Sequence, residues 1–220
     1  MQYSIKQVKP NIFAVVVKDD YDLAMLFCRV QEFYESPNPK FRGQNFSIWD
    51  FVKWYSSVKS GSFTYPSDWA GFNIPFEVLE ECLQGMQEPE SPYDKEMQRI
   101  YNLIKGMKPE TGRAYIIGVP DMKSETFTHE VCHGFYYVED EYRSIADSIT
   151  NELKESVPSA YFTFKRNLLS MGYTEDVIDD EIQAYLTTNW ENKRFGEGVK
   201  TLLKKRLHSN YTSKLEKFFI

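Results

Sequence analysis

Two neighbouring segments decide the fold: Ala114-Tyr115-Ile116-Ile117-Gly118-Val119 and, after a short polar link, Thr128-His129-Glu130-Val131-Cys132-His133-Gly134. The first is short, apolar and rich in β-branched residues, which predicts a buried strand. The second lies in a segment that we predict to be helical from residue 124 to 137 or 138. Positions i and i+4 of a helix share one face, so His129 and His133 can bind the same metal ion.

The glutamate between these histidines gives the helix a chemical use beyond metal binding. Glu130 can reach a water molecule on the metal and accept its proton, as metal-assisted hydrolysis requires. The helix also has an apolar face, formed by Phe127, Val131, Phe135 and Val138. Histidines on one side and core residues on the other suit a site within a cleft.

A zinc site needs a third protein ligand and an open position for water. His208 is the only other histidine, but it lies in a segment rich in Lys and Arg and belongs to no ligand pattern. We therefore expect a carboxylate, and Glu181 is the first candidate. It shares a predicted helix face with apolar residues and Tyr185, and a buried carboxylate requires a partner such as a metal ion. The Tyr185 hydroxyl can support the same site.

Glu152 is the second candidate for the third ligand. It follows the motif within a predicted helix and shares a face with Ile145 and Ile149. The choice between Glu181 and Glu152 stays open at this point. Asp180 and Asp147 are candidates to accept a hydrogen bond from a metal-binding histidine, which would fix the orientation of its ring.

The motif resembles the gluzincin branch of the zincin metallopeptidases, over about residues 114–186. The resemblance implies one zinc ion per chain, with His129 and His133 as ligands and Glu130 as the general base. The Asn151-Glu152 pair resembles an Asn-Glu ligand motif of some gluzincins. The string Asp180-Glu181-Ile182-Gln183-Ala184-Tyr185 is instead similar to the third-ligand helix of other families with this motif. Tyr136, Tyr137 and Tyr185 are candidates to stabilise the oxyanion.

We expect an α+β fold that is predominantly helical, with a zincin-like core and a short sheet beside the motif helix. In zincins an edge strand flanks the cleft and can pair with an extended substrate. We assign that role to the strand at residues 114–119, and predict a second strand at 12–17 and a surface loop at 60–75. Residues 1–110 would form a helical, aromatic lobe packed on a metal-binding region at 111–220, and the two together would form one compact unit.

The composition limits the binding partners and the cellular compartment that we expect for this protein. A net charge of −6 and a pI near 5.2 disfavour general nucleic-acid binding. No apolar run is long enough to span a membrane. The 3 cysteines are unpatterned, and the N-terminal residues lack the apolar core of a secretory signal. We therefore expect a cytoplasmic protein that acts on a peptide or protein substrate. The oligomeric state is left open.

The leading hypothesis is a zinc-dependent hydrolase, an intracellular metallopeptidase in which Glu130 activates a zinc-bound water. The alternative is a non-catalytic binding or regulatory protein with a zincin-like fold, which could use the aromatic residues Trp49, Trp54, Tyr55, Tyr65, Trp69 and Phe72 for partner recognition. A third hypothesis is a non-haem iron enzyme, because two histidines and one carboxylate also suit Fe(II). Glu130 favours hydrolysis, since an oxygenase needs no base at that position.

Overall fold

The computed structural model describes residues 1–86, 89–108, 112–188 and 217–219. Its strands are β1 (Ser4–Lys9), β2 (Ile12–Val16), β3 (Phe72–Pro75) and β4 (Tyr115–Val119). Its longer helical elements are α1 (Asp20–Glu35), α2 (Ile48–Val58), α3 (Tyr65–Asp68), α4 (Phe76–Gly85), α5 (Pro92–Met107), α6 (Glu125–Val138), α7 (Asp140–Ser156), α8 (Pro158–Ser170) and α9 (Ile178–Thr188). The predicted α+β, mostly helical class is confirmed.

The chain divides into two compact units, Met1–Glu130 and Val131–Ile220. The boundary falls within α6, which runs through it as one helix. The division into residues 1–110 and 111–220 stays a prediction.

Among the described residues, no helix combines the length and the apolar composition needed to cross a membrane. His208 and most of the basic segment around it lie outside the described residues.

The first unit is built on a mixed four-stranded sheet with the order β1-β2-β4-β3. β1 and β2 form an antiparallel hairpin, in which Asn11 adopts a φ of 61° at the turn. β2 and β4 are parallel, and every residue of both strands apart from Val16 is buried. The two strands therefore form the apolar centre of the sheet, with β1 and β3 at its edges.

Two predictions about this sheet were wrong. The segment at 60–75 is not a continuous loop, because it contains α3 and the edge strand β3. β3 pairs antiparallel with β4, with Asn73 opposite Ile117. β4 is therefore an interior strand, and the edge strand of the sheet on this side is β3 rather than β4.

A close contact between α1 and β4 fixes the helix on the sheet. A Cβ atom at Gly118 would lie 2.4 Å from Cε2 of Phe27, so only glycine lets the ring approach the strand. Phe27 in turn stacks on Phe72 of β3, with ring centroids 5.4 Å apart. The aromatic residues of this half are mainly core: Tyr55, Tyr65 and Phe72 are buried. Trp49 and Trp69 are exposed by 62% and 38%.

A buried ion pair ties α1 to the start of α5. Arg29 donates from Nη1 to Asp94 at 3.0 Å and from Nη2 to the carbonyl of Phe46 at 2.6 Å. Asp94 also belongs to the capping box of α5, in which Ser91 accepts from the Asp94 backbone and the Asp94 carboxylate accepts from the Ser91 backbone. The guanidinium and the helix cap thus stabilise each other.

The second unit is helical. α7, α8 and α9 pack against one another in pairs. Each presents an apolar stripe at helical spacing. The buried apolar residues of these helices are Tyr142, Ala146, Ile149, Leu153, Ala160, Tyr161, Phe164, Leu168, Ile178, Ile182, Ala184 and Leu186. Among the described residues of this unit, the polar side chains of His133, Thr150, Glu181 and Gln183 are also buried.

Candidate metal centre

The motif lies on α6, as the sequence predicts. The hydroxyl of Ser124 accepts from the backbone nitrogen of Phe127 at 3.1 Å, which caps the start of the helix. The helix then runs without a break to Val138. Of the predicted apolar face, Val131 and Phe135 are buried, while Phe127 and Val138 are half-buried. His133 is buried and His129 is half-buried.

The structure brings Glu181 to these histidines. The ligand atoms of His129, His133 and Glu181 all lie within 4.8 Å of one another. Nε2 of His133 is 3.5 Å from Oε1 of Glu181, and both side chains are more than nine-tenths buried. α9 supplies the carboxylate from its first turn, and Ile182 beside it packs into the core with no exposed surface.

The other nitrogen of His133 is fixed by a neighbouring carboxylate. Nδ1 lies 2.9 Å from Oδ1 of Asp180, which precedes Glu181 on α9. A hydrogen bond from Nδ1–H leaves the lone pair of a neutral imidazole on Nε2, the nitrogen that faces Glu181. Asp180 thus stands where we expected the hydrogen-bond acceptor of a metal-binding histidine.

Glu130 is held by residues of the sheet. Its Oε2 accepts from Nδ2 of Asn73 at 2.8 Å, and Oδ1 of Asn73 accepts from the Tyr115 hydroxyl at 2.5 Å. Its Oε1 lies against Gly71, where a Cβ atom would be only 2.6 Å away. Sequence reasoning missed Asn73 and Gly71 because it placed both in a surface loop. The alternation of apolar and polar residues in Phe72-Asn73-Ile74 was the available signal for β3.

The remaining predicted residues occupy other positions. Glu152 is exposed on α7 and is not part of the cluster of ligand atoms. Asp147 accepts from the Tyr136 hydroxyl at 2.6 Å, and burial together with this bond raises the pKa of Tyr136. The hydroxyl of Tyr185 lies 3.5 Å from that of Tyr173. Tyr185 is four residues beyond Glu181, and so on the same face of α9.

The three side chains offer the donor types of a zinc site. Two ligands held at about 2.0–2.1 Å in a tetrahedral site are separated by roughly 3.3–3.4 Å, close to the 3.5 Å between His133 and Glu181. The same distance is long for an N–H···O hydrogen bond, which is usually about 2.7–3.2 Å. Two imidazole nitrogens and one carboxylate oxygen are also the ligands of many catalytic zinc sites.

Comparison of the chain with protein-family models finds no match, and neither does comparison with curated proteins or with solved structures.

Proposed function

We propose that the chain is a zinc-dependent hydrolase with a zincin-like core, and specifically a metallopeptidase of the gluzincin type. The observation that carries this proposal is the cluster of His129, His133 and Glu181 within 4.8 Å. The residue between the two histidines is a glutamate fixed by Asn73 at 2.8 Å. Metal ligands alone would fit many functions, whereas a positioned carboxylate beside them favours hydrolysis.

The three ligands would hold one zinc ion. When bound, the zinc supplies Lewis acidity and lowers the pKa of a water in its open coordination position to about 7. Glu130 accepts a proton from the attacking water and delivers it to the leaving nitrogen. A carboxylate offers about four lone-pair sites, so the bond from Asn73 restricts the rotation of Glu130 and leaves it capacity to accept that proton.

The edge strand supports a peptide as the substrate. β3 pairs with β4 on one side, and an edge strand can pair with an extended chain through backbone hydrogen bonds. Asn73, which holds Glu130, is a residue of this strand. An extended peptide on β3 would therefore lie close to the general base. Tyr185 remains the proposed residue for stabilising the oxyanion, from the same helix as Glu181.

The first experiment measures the metal content of untagged protein by elemental mass spectrometry. We expect about one zinc per chain, lost in His129→Ala and Glu181→Gln. Glu152→Gln is the matched control for the carboxylate, and His208→Ala is the control for the histidines. Both controls should retain zinc. Zinc lost in Glu152→Gln and retained in Glu181→Gln would move the third ligand to Glu152.

The second experiment separates catalysis from binding. Glu130→Gln should retain zinc and lose hydrolysis of peptides from a mixed-sequence library, because only the proton acceptor is removed. Hydrolysis by Glu130→Gln at the wild-type rate would contradict the assigned base.

Iron in place of zinc would favour the oxygenase hypothesis. No bound metal after zinc is added would overturn the proposal.

A further inference from the structure

A series of hydrogen bonds continues beyond Asp180 into the buried part of the second unit. The hydroxyl of Tyr142 donates to Oε1 of Gln183 at 2.9 Å, and Nε2 of Gln183 donates to Oδ1 of Asp180 at 2.8 Å. The same Oδ1 lies 2.9 Å from Nδ1 of His133. Tyr142 and Gln183 are fully buried, and His133 is only 2% exposed. The last partner in the series is therefore a proposed metal ligand.

The direction of each bond is fixed by the chemistry of the groups. Gln183 accepts on its amide oxygen from the phenol of Tyr142, so its NH₂ group is turned towards Asp180. Oδ1 of Asp180 then accepts from the NH₂ group and from the Nδ1–H of His133. An imidazole that donates from Nδ1 presents the lone pair of Nε2 to a metal. The series thus selects the tautomer that binds zinc beside Glu181.

Packing holds the far end of this series in place. The ring of Tyr142 stacks on Phe135 of α6, with centroids 5.4 Å apart, and meets Phe218 edge-on at 5.3 Å. Phe135 lies two residues beyond His133, so α6 carries both the metal ligand and the surface against which the phenol packs. A fully buried glutamine is costly unless its amide is hydrogen-bonded. Here the Gln183 amide is bonded on both sides, to Tyr142 and to Asp180.

We propose that Gln183 and Tyr142 are positioning residues for the metal ligand His133. They act through Asp180 and touch neither the metal nor a substrate. This inference rests on the proposed metal site, and it predicts that zinc affinity depends on two core side chains that are not ligands. Loss of a hydrogen-bond partner beyond the ligands typically weakens metal affinity about 10–100-fold.

The test compares zinc dissociation constants, measured by competition with a chelator, for wild type, Gln183→Leu and Tyr142→Phe. We expect about 10–100-fold weaker binding in Gln183→Leu, and a smaller loss in Tyr142→Phe, which acts one bond further away. Tyr161→Phe is the matched control. It removes a phenol that donates at 3.0 Å to Asp179, the neighbour of Asp180, and should leave the zinc affinity unchanged.

Two further measurements separate positioning from general stability. The melting temperature of each metal-free variant reports folding, and Tyr142→Phe is mild enough to keep the fold if Gln183→Leu does not. The visible absorption of the cobalt-substituted protein reports ligand geometry, which a purely structural role would not change. Wild-type affinity in both variants overturns the inference and leaves the metal site standing. Absence of metal binding by the wild type overturns both proposals.

Discussion

The side-chain amide of Asn73 donates to Oε2 of Glu130 at 2.8 Å, although 57 positions separate the two residues in the chain. This bond connects the edge strand β3 to the glutamate of the motif on α6. The bond holds the Glu130 carboxylate in one orientation, which rotation about the side-chain bonds of Glu130 would otherwise change. Correct geometry of a general base comes before its pKa in deciding whether it can act.

Removal of this bond should separate proton transfer from metal binding. Asn73→Ala is expected to lower turnover of any peptide substrate by at least about 10-fold, within the range that general bases contribute, and to leave the zinc content at the wild-type level. Unfolding measurements on Asn73→Ala, Glu130→Ala and the double variant should give a coupling energy of about 1–3 kcal/mol. If the losses of unfolding free energy in the two single variants simply add up in the double variant, the two side chains do not interact, which would contradict the bond.

Gly71 should be intolerant of even one added methyl group. In Gly71→Ala the Cβ atom would lie 2.6 Å from Oε1 of Glu130 and 2.7 Å from Cγ2 of Thr126. The Glu130 carboxylate is buried and bonded to Asn73, so moving it aside should cost about 1–3 kcal/mol in unfolding free energy and reduce turnover. Denaturant unfolding and activity assays on the same preparation measure the two effects.

Gly106→Ala is the matched control for that substitution. In the part of the chain that the structure describes, nothing lies within 4 Å of a Cβ atom at Gly106 in the last turn of α5, and alanine favours a helix over glycine by about 0.5–1 kcal/mol. The control should therefore raise stability. A destabilising effect of equal size in both variants would show that the contact with Glu130 is not the cause at Gly71.

The buried carboxyl of Glu32 should make stability depend on pH. Burial raises its pKa from 4.5 to about 7, and the hydroxyls of Ser36 and Tyr65 offset this only in part. The folded protein therefore holds the proton more tightly than the unfolded chain. Stability from this group is complete below pH 4.5 and is lost as the pH rises through about 7, by about 3 kcal/mol in all.

Glu32→Gln tests this pH dependence, because a neutral amide cannot ionise. Denaturant unfolding of wild type and variant between pH 4.5 and 8 should show a falling unfolding free energy in the wild type and a flatter profile in the variant. Parallel profiles would contradict the assignment to Glu32. The glutamine should also be the more stable form above pH 7, where the wild-type carboxylate is charged and buried.

The buried and the exposed arginine pairs should differ sharply in their effect on stability. The Arg29–Asp94 pair has side chains only 8% and 6% exposed. Arg29→Leu leaves the Asp94 carboxylate buried without its cation, which costs about 3–5 kcal/mol. Arg99→Leu is the control, since Arg99 is 72% exposed in its pair with Glu96, and its loss should cost about 0–1 kcal/mol. Equal melting temperatures for the two variants would contradict this account.

Local patterns predicted the helices that carry the candidate ligands. The spacing of His129 and His133, and the position of Glu181 beside apolar residues, depend on helical periodicity within α6 and α9. Such periodicity is visible in a single sequence. Asp180 could be proposed only as the sequence neighbour of a candidate ligand, because adjacent residues do not share a helix face. No feature of the sequence alone favoured Glu181 over Glu152 strongly, because their burial depends on how the helices pack.

The support of Glu130 could not be predicted in the same way. Asn73 and Gly71 reach the motif only because β3 pairs with β4, and a four-residue strand ending in Pro75 carries little strand signal of its own. β1 was missed for a related reason, since its sequence Ser-Ile-Lys-Gln-Val-Lys is mostly polar. Lysines suit an edge strand, where they discourage pairing with other chains.

The parallel pairing of β2 with β4 has a consequence for synthesis of the protein. β2 leaves the ribosome long before its partner, because roughly 100 residues separate Val16 from Tyr115, and translation at about 5–20 residues per second takes some 5–20 s to supply them. During that interval the apolar segment Ile12–Val16 has β1 on one side and no native neighbour on the other. Nascent chains stalled before residue 115 should therefore bind chaperones that recognise exposed apolar strands, and release them once β4 has emerged.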